Sequence, residues 1–171
     1  MELKYRRNTA EDAGIIRALI NECFGYTKIS GARVPVGAYL LAFDGDQLVA
    51  MSAVLESPNT DYVGGEIGWT CCKEQYRKLG IITQLINMEI TRVGNDKDIY
   101  CECWATDNVP HLKHAMQQNG FVLVQEIRRR NQDRYRSCSE CLFKDMSGSC
   151  RCSVVLYKRN RQVLGGFDYV G

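Results

Sequence analysis

The segment running from Glu66 to Thr83 (EIGWTCCKEQYRKLGIIT) joins a β-favouring run to a basic, glycine-containing turn and the start of an amphipathic helix. Such a junction binds anions. The amides from Leu79 to Thr83 have no intrahelical acceptor, the helix end carries roughly +0.5 charge, and Gly80 permits close backbone approach. From the glycine alone, a strand–turn–helix corner in which Gly80 merely relieves crowding is the plainer reading. A second constellation is Cys138-x-x-Cys141 followed by Cys150-x-Cys152, two pairs bracketing eight residues that include Ser147-Gly148. This spacing suits four thiolates arranged tetrahedrally on zinc at about 2.3 Å. A closed four-cysteine site leaves no open position for catalysis. Its role is structural, and zinc-finger peptides gain roughly 10–16 kcal/mol from such a metal. Reduced cysteines on a hairpin are the alternative.

The other cysteines read differently. Cys71, Cys72, Cys101 and Cys103 fall on predicted strands, where a free thiol behaves as a small hydrophobe. Nine cysteines, an odd number, point to reduced thiols or metal ligands rather than a disulfide framework. A redox role would require a thiol titrating below about 8.5. Between Glu126 and Arg161 ten basic residues face four acidic ones, and Arg128-Arg129-Arg130 with Arg134 and Arg136 lie among them. That run suits a solvated face, a phosphate of a cofactor, an acidic substrate or RNA. Base-stacking aromatics are sparse there, so nucleic acid is not the expected partner. Over the whole chain 22 Lys and Arg balance 20 Asp and Glu, which by net charge favours neither nucleic acid nor a membrane.

These groups need elements to position them. The chain has 171 residues, 45% hydrophobic and 25% charged, with 15 Gly and 3 Pro, enough for one globular domain and unlike a disordered or fibrous chain. No apolar run approaches the about 18 residues of a membrane span, and the opening MELKYRRNTAED is polar, so a cytoplasmic protein without a membrane partner is expected. Leu3–Arg6 reads as a strand. Asn8-Thr9 then caps a helix whose stripe is Ile16, Leu19, Ile20, Cys23 and Phe24, ended by Gly25. The stretch from Tyr26 to Gly37 has no clear period. Ala38–Phe43 and Gln47–Leu55 form a hairpin through Asp44-Gly45-Asp46. Gly65–Lys73 is a strand, and a helix follows from about Arg77 to Val93 with Ile82, Leu85, Ile86, Glu89, Ile90 and Val93 on one stripe. Ile99–Thr106 is a strand, Asp107/Asn108 cap a helix ended by Gly120, and Phe121–Ile127 and Ser153–Arg159 are the last strands. The expected fold is α/β, a mixed sheet flanked by three helices, forming a single domain over 1–171 with a Cys- and Arg-rich insertion at about 128–152.

At the turn, Arg77-Lys78-Leu79-Gly80-Ile81-Ile82 resembles the Gln/Arg-x-x-Gly-x-Gly/Ala signature of the GNAT superfamily of acetyl-CoA-dependent N-acetyltransferases, departing from it only at Ile82. Asn108 opening a helix that closes in Asn119-Gly120-Phe121, and the opening Thr9-Ala10-Glu11-Asp12-Ala13, are also similar to the family, and the element order agrees from Leu3 to Ile127. The resemblance implies a mostly antiparallel central sheet. It implies acetyl-CoA with its pantetheine along the strand ending in Cys71, Cys72 and Lys73, and its pyrophosphate on Arg77, Lys78, Leu79, Gly80, Ile81, Ile82 and Thr83. Asn108 would lie near the thiol.

Transfer to nitrogen requires a neutral amine. With a pKa of about 10.4, a lysine-like amine is neutral in roughly one molecule per few thousand at pH 7, equivalent to about 4.6 kcal/mol. Glu66, placed where some members of the family carry a catalytic glutamate, is the candidate base; an ordinary solvent-facing glutamate is the alternative. The family's usual tyrosine acid position is Met116 here. His114 on the same helix, Tyr157 or water is left to protonate the thiolate, and His111 and His114 read as surface residues. The expected activity is acetyl transfer from acetyl-CoA to an amine of a small molecule or protein by direct attack. A zinc-stabilised nucleic-acid- or protein-binding module on an inactive fold of this kind is the alternative. The acceptor is not specified by the sequence, and a homodimer is compatible with it.

Overall fold

The structure, a computed structural model, describes residues 2–24, 34–56, 64–94, 96–104, 110–127 and 154–161. Its elements are β1 (Leu3–Arg7), α1 (Ala13–Phe24), β2 (Tyr39–Asp44), β3 (Gln47–Glu56), β4 (Gly65–Cys72), α2 (Ile81–Val93), β5 (Ile99–Trp104), α3 (Pro110–Gln118), β6 (Val122–Ile127) and β7 (Val154–Arg159), with short 3-10 turns at Ala10–Asp12 and Glu74–Tyr76. The strands form one sheet in the order β1-β2-β3-β4-β5-β7-β6. Only β4 and β5 pair in parallel, so the sheet is mixed and mostly antiparallel, as the sequence predicts.

The helices cover the two faces separately. Ile16, Leu19 and Ile20 of α1 pack on Tyr39, Leu41, Met51 and Cys71. On the opposite face Ile81 and Leu85 of α2 meet Leu40, Val49 and Cys72. Farther along, Ile86 and Ile90 join Ala115 and Met116 of α3 over Ile67, Ile99, Cys101 and Tyr157. Burial of these aliphatic stripes is the main force holding the helices to the sheet. None of the helices among the described residues is long and apolar enough to cross a membrane.

The second helix departs from expectation at its start. It begins at Ile81 rather than near Arg77, because Lys78 (φ 66°) and Gly80 (φ 77°) adopt left-handed backbone that an α-helix excludes. The first helical segment is capped as its sequence suggests. The Thr9 amide donates to Asp12 Oδ2 at 2.7 Å, and Arg6 clasps the same carboxylate with two bonds of 2.6 and 2.7 Å. These bonds from Arg6, then from Thr9, hold the Asp12 carboxyl well below the usual carboxylate range. A depressed carboxylate pKa stabilises the fold above the ordinary value of about 4, and this contribution fades as pH falls below it. Asp12→Asn is therefore expected to cost about 1–2 kcal/mol at pH 7, reduced by the half-exposed Arg6, with the difference from wild type closing below about pH 4 in urea titrations.

Candidate functional site

Strand β4 carries the distortion around which the site is built. Met51 pairs with Cys71 but Ala53 pairs with Gly68, so Trp69 and Thr70 together oppose Ser52 in a bulge. Trp69 has a positive φ of 51° there, and Thr70 Oγ1 lies 2.9 Å from the buried Ser52 Oγ. The extra residue reverses which way the strand faces. Ile67 packs under α2 and α3, whereas Cys71, four residues on, packs under α1.

The bulge coincides with a split in the sheet. Parallel pairing of β4 with β5 covers Gly65↔Ile99, Glu66↔Tyr100 and Ile67↔Cys101, then stops. Beyond Ile67 the two strands are no longer in register, while β4 stays paired with β3 as far as Cys72. An extended ligand with amide groups can add there as a strand would.

Glu66 sits at the root of this split. Because Ile67 faces α2, Glu66 and Gly68 face the α1 side, with the Glu66 side chain half-buried. Gly68 puts no side chain in front of it. The Cys71 and Cys72 side chains point into the cores of opposite faces, so what these residues offer a ligand is backbone. Burial pushes the Cys72 thiol up to about 11, which fits its reading as a core residue rather than a nucleophile.

The end of β4 leads into the basic turn. Lys73 Nζ is anchored to Glu22 of α1 at 3.1 Å, and the Tyr76 hydroxyl donates to Asp44 at 2.8 Å. Arg77 Nε donates to the Cys72 carbonyl at 3.3 Å. Arg77, Lys78 and Leu79 are exposed. Helix α2 makes its first i→i−4 bond from Gln84 to the Gly80 carbonyl at 3.0 Å, and no side chain caps it at Gly80. The amides of Ile81, Ile82 and Thr83 therefore form the unfilled positive end of a 13-residue helix. A Cβ added at Gly80 would meet no atom within 4 Å, so the space in front of the turn is open. These features fit a pyrophosphate: successive amides, left-handed backbone at Lys78 and Gly80, and two exposed cations adjoining them in sequence.

Ile82, the departure from the family pattern, does not crowd the turn. Its side chain packs inward with the clusters beneath α2. Asn119, buried at the end of α3, donates to the Thr83 carbonyl at 3.1 Å and to Ala115 at 2.9 Å, fixing the first turn of α2 from behind. Nothing local in the sequence marks the anchoring by Glu22 and Tyr76, whereas Asn119 adjoins Gly120-Phe121. A separate polar hollow lined by Asn87, Gln118, Asn119, Lys158 and Arg159 shares none of the turn residues.

The acid candidates fare unequally. Met116 is fully buried in the core and has no proton to donate. His114 is exposed. Tyr157 is buried under α2 and α3, on the opposite face from Glu66, and burial raises its pKa. Asn108 and the four cysteines Cys138, Cys141, Cys150 and Cys152 lie outside the described residues, as do Arg128, Arg129, Arg130, Arg134 and Arg136. Among the described residues no group of three or more His, Cys, Asp or Glu side chains could hold a metal.

The sequence matches no known protein-family model and no curated protein. The structure does match solved ones. It is similar to a Bacillus subtilis acetyltransferase in complex with CoA, at 18% identity, TM-score 0.64 and coverage of 93% of this chain and 99% of that one. It is also similar to a GNAT family acetyltransferase from Elizabethkingia anophelis with acetyl-CoA bound, at 15% identity, TM-score 0.66 and 92% and 97% coverage. A third is the ribosomal-protein-S18-alanine N-acetyltransferase from Escherichia coli, at 9% identity, TM-score 0.63 and 98% and 99% coverage. The split between β4 and β5 and the glycine turn before α2 thus belong to a chain with the GNAT acetyltransferase fold.

Proposed function

We propose that this protein is an acetyl-CoA-dependent N-acetyltransferase acting on a primary amine by direct attack in a ternary complex. The observation that carries this reading is the end of the β4–β5 register at Ile67, just past Glu66, from which β4 continues into the turn that leads to the amides of Ile81–Thr83. When bound, acetyl-CoA supplies an activated acetyl thioester. The amides of Leu79–Thr83, with Arg77 and Lys78, hold the pyrophosphate; the backbone of Gly68–Lys73 hydrogen-bonds the pantetheine; Asn108 acts near its thiol end. Glu66, or a water it orients, takes the proton from the ammonium group so that a neutral amine attacks. With Met116 in the acid position, we assign protonation of the leaving thiolate to water. The acceptor is an amine of a small molecule or a protein.

In the same reading, Cys138, Cys141, Cys150 and Cys152 hold a structural zinc. Four thiolates are a soft donor set that suits tetrahedral zinc, and the metal would order the insertion at about 128–152 within a single domain. A native mass spectrum tests both assignments together. Expected are one zinc per chain, lost in Cys138→Ser, and one added acetyl-CoA per chain. A retained zinc without any acetyl-CoA adduct would favour a binding module on an inactive fold; an adduct without zinc would overturn the metal assignment alone.

A further inference from the structure

The Trp69 ring meets the Phe24 ring of α1 edge-on, at 6.3 Å and 80°, which puts Trp69 on the α1 side of the sheet. Glu66 and Gly68 face that side too. One face of β4 thus carries, in order, a carboxylate, a gap where Gly68 has no side chain, and an indole. Phe24 is half-buried, and Trp69 keeps 37% of its surface exposed. Its backbone, at a φ of 51°, is one that glycine or asparagine adopts at less cost, so what this position gains from tryptophan is the ring. A strained residue with an exposed ring, three positions from the candidate base, points to a ligand. We propose that Trp69, backed by Phe24, is the wall that binds the acceptor, and that the acceptor is a primary amine joined by a short stem to an aromatic ring. This rests on the acetyltransferase reading above and names the substrate class for it.

Charge and polarity divide along this face. The Glu66 carboxylate attracts an ammonium group, while the indole offers flat apolar area on which a second ring packs edge-on or offset. Three strand residues span about 10 Å. A hydrogen bond of about 2.8 Å at the carboxylate and a ring spacing of about 5 Å at the indole take up most of that, which leaves room for a stem of roughly two or three carbons. A hydroxylated amine fits less well, because its hydroxyls would lose water against the indole face and gain no hydrogen bond from it. Gly68 keeps the path between the two groups clear. A Cβ added there would meet only Leu55, at 3.8 Å, so packing within the fold does not itself demand the glycine. The wall is also held in place before a ligand arrives: Lys73 pairs with Glu22 at 3.1 Å, two residues before Phe24, and so fixes the last turn of α1 against β4.

The test compares 2-phenylethylamine with ethanolamine, by binding and by turnover. The chain has two tryptophans, so the full-length Trp104→Phe protein reports on Trp69 alone. Expected is a saturable change in Trp69 fluorescence with 2-phenylethylamine, measured with and without CoA, and none with ethanolamine at the same concentrations. In steady-state acetylation kcat/KM for 2-phenylethylamine exceeds that for ethanolamine by about tenfold or more. Trp69→Ala raises the KM for 2-phenylethylamine about tenfold and leaves the KM for acetyl-CoA as it was, whereas Trp69→Phe, which keeps a ring, stays within about threefold of wild type. A saturable fluorescence change without acetylation of either amine would uphold the wall and overturn the acetyltransferase reading alone. Equal kcat/KM for the two amines, or an unchanged KM in Trp69→Ala, would overturn the wall and leave that reading standing. No fluorescence change, with or without CoA, would overturn the proposal as well.

Discussion

Glu66→Gln lowers kcat for amine acetylation by about 100-fold to 10,000-fold, the range typical of a lost general base, while leaving the KM for acetyl-CoA nearly unchanged. The separation follows from where the residue lies. Glu66 is at the root of the β4–β5 split and faces the α1 side, whereas the amides proposed to hold the pyrophosphate begin at Leu79, beyond the end of β4. Glutamine keeps the size and polarity of the side chain but not its affinity for a proton, so the fold and the cofactor cradle are preserved. Raising the pH restores part of the lost rate, because the fraction of neutral amine grows tenfold per unit well below the amine pKa. Steady-state kinetics over about pH 7–9.5 check both points, and unchanged turnover would remove Glu66 from the mechanism.

The largest loss of stability is expected at Glu89. Its carboxylate is fully buried on the inner stripe of α2, where it accepts 2.7 and 2.6 Å bonds from Arg7 of β1 and a 3.1 Å bond from Arg92. Arg92 also reaches the Val54 carbonyl at 3.4 Å. Glu89→Ala leaves the Arg7 guanidinium in a mostly buried position without its counter-charge and opens a gap in the helix–sheet contact. Breaking such a pair costs about 3–5 kcal/mol, equivalent to roughly 6–20 °C in Tm for a chain of this length. The double variant Arg7→Met/Glu89→Met recovers most of the loss, since the desolvation of both charges disappears together. Thermal and urea unfolding of the three proteins check this; a loss below about 1 kcal/mol in Glu89→Ala would contradict it.

Glu89 also shows where sequence periodicity stops being informative. Its spacing with Leu85, Ile86 and Ile90 places it on the inward stripe of α2, but nothing local names its partner, which lies 82 residues away on the edge strand. The hairpin, the helix stripes and the mixed sheet are legible because period-2 and period-3.6 burial act within each element. The cradle at Gly80 is legible for a similar reason: its amides and left-handed turn are local properties of a short segment. The bulge at Trp69 is not. It comes from the two-against-one pairing of β4 with β3, and it decides that Glu66 faces α1 while Cys72 faces α2. Helix α2 begins four residues later than its periodicity predicts because Lys78, a residue with no special tolerance for positive φ, adopts it in the turn.

The most direct test of the central claim is calorimetric titration of the protein with acetyl-CoA, alongside a Gly80→Asp variant. Aspartate tolerates left-handed backbone better than most residues and the space beside Gly80 is open, so the substitution costs backbone strain of about 1–2 kcal/mol, and circular dichroism checks that the variant is folded. Its carboxylate stands at the positive end of α2, where the pyrophosphate is held in the proposed complex. One-to-one binding by the wild type, weakened about 100-fold or more in Gly80→Asp, is the predicted result; about 2.7 kcal/mol of binding free energy corresponds to that ratio. No binding by the folded wild type, or equal affinity in the two proteins, would contradict the assignment of the Arg77–Thr83 turn to acetyl-CoA.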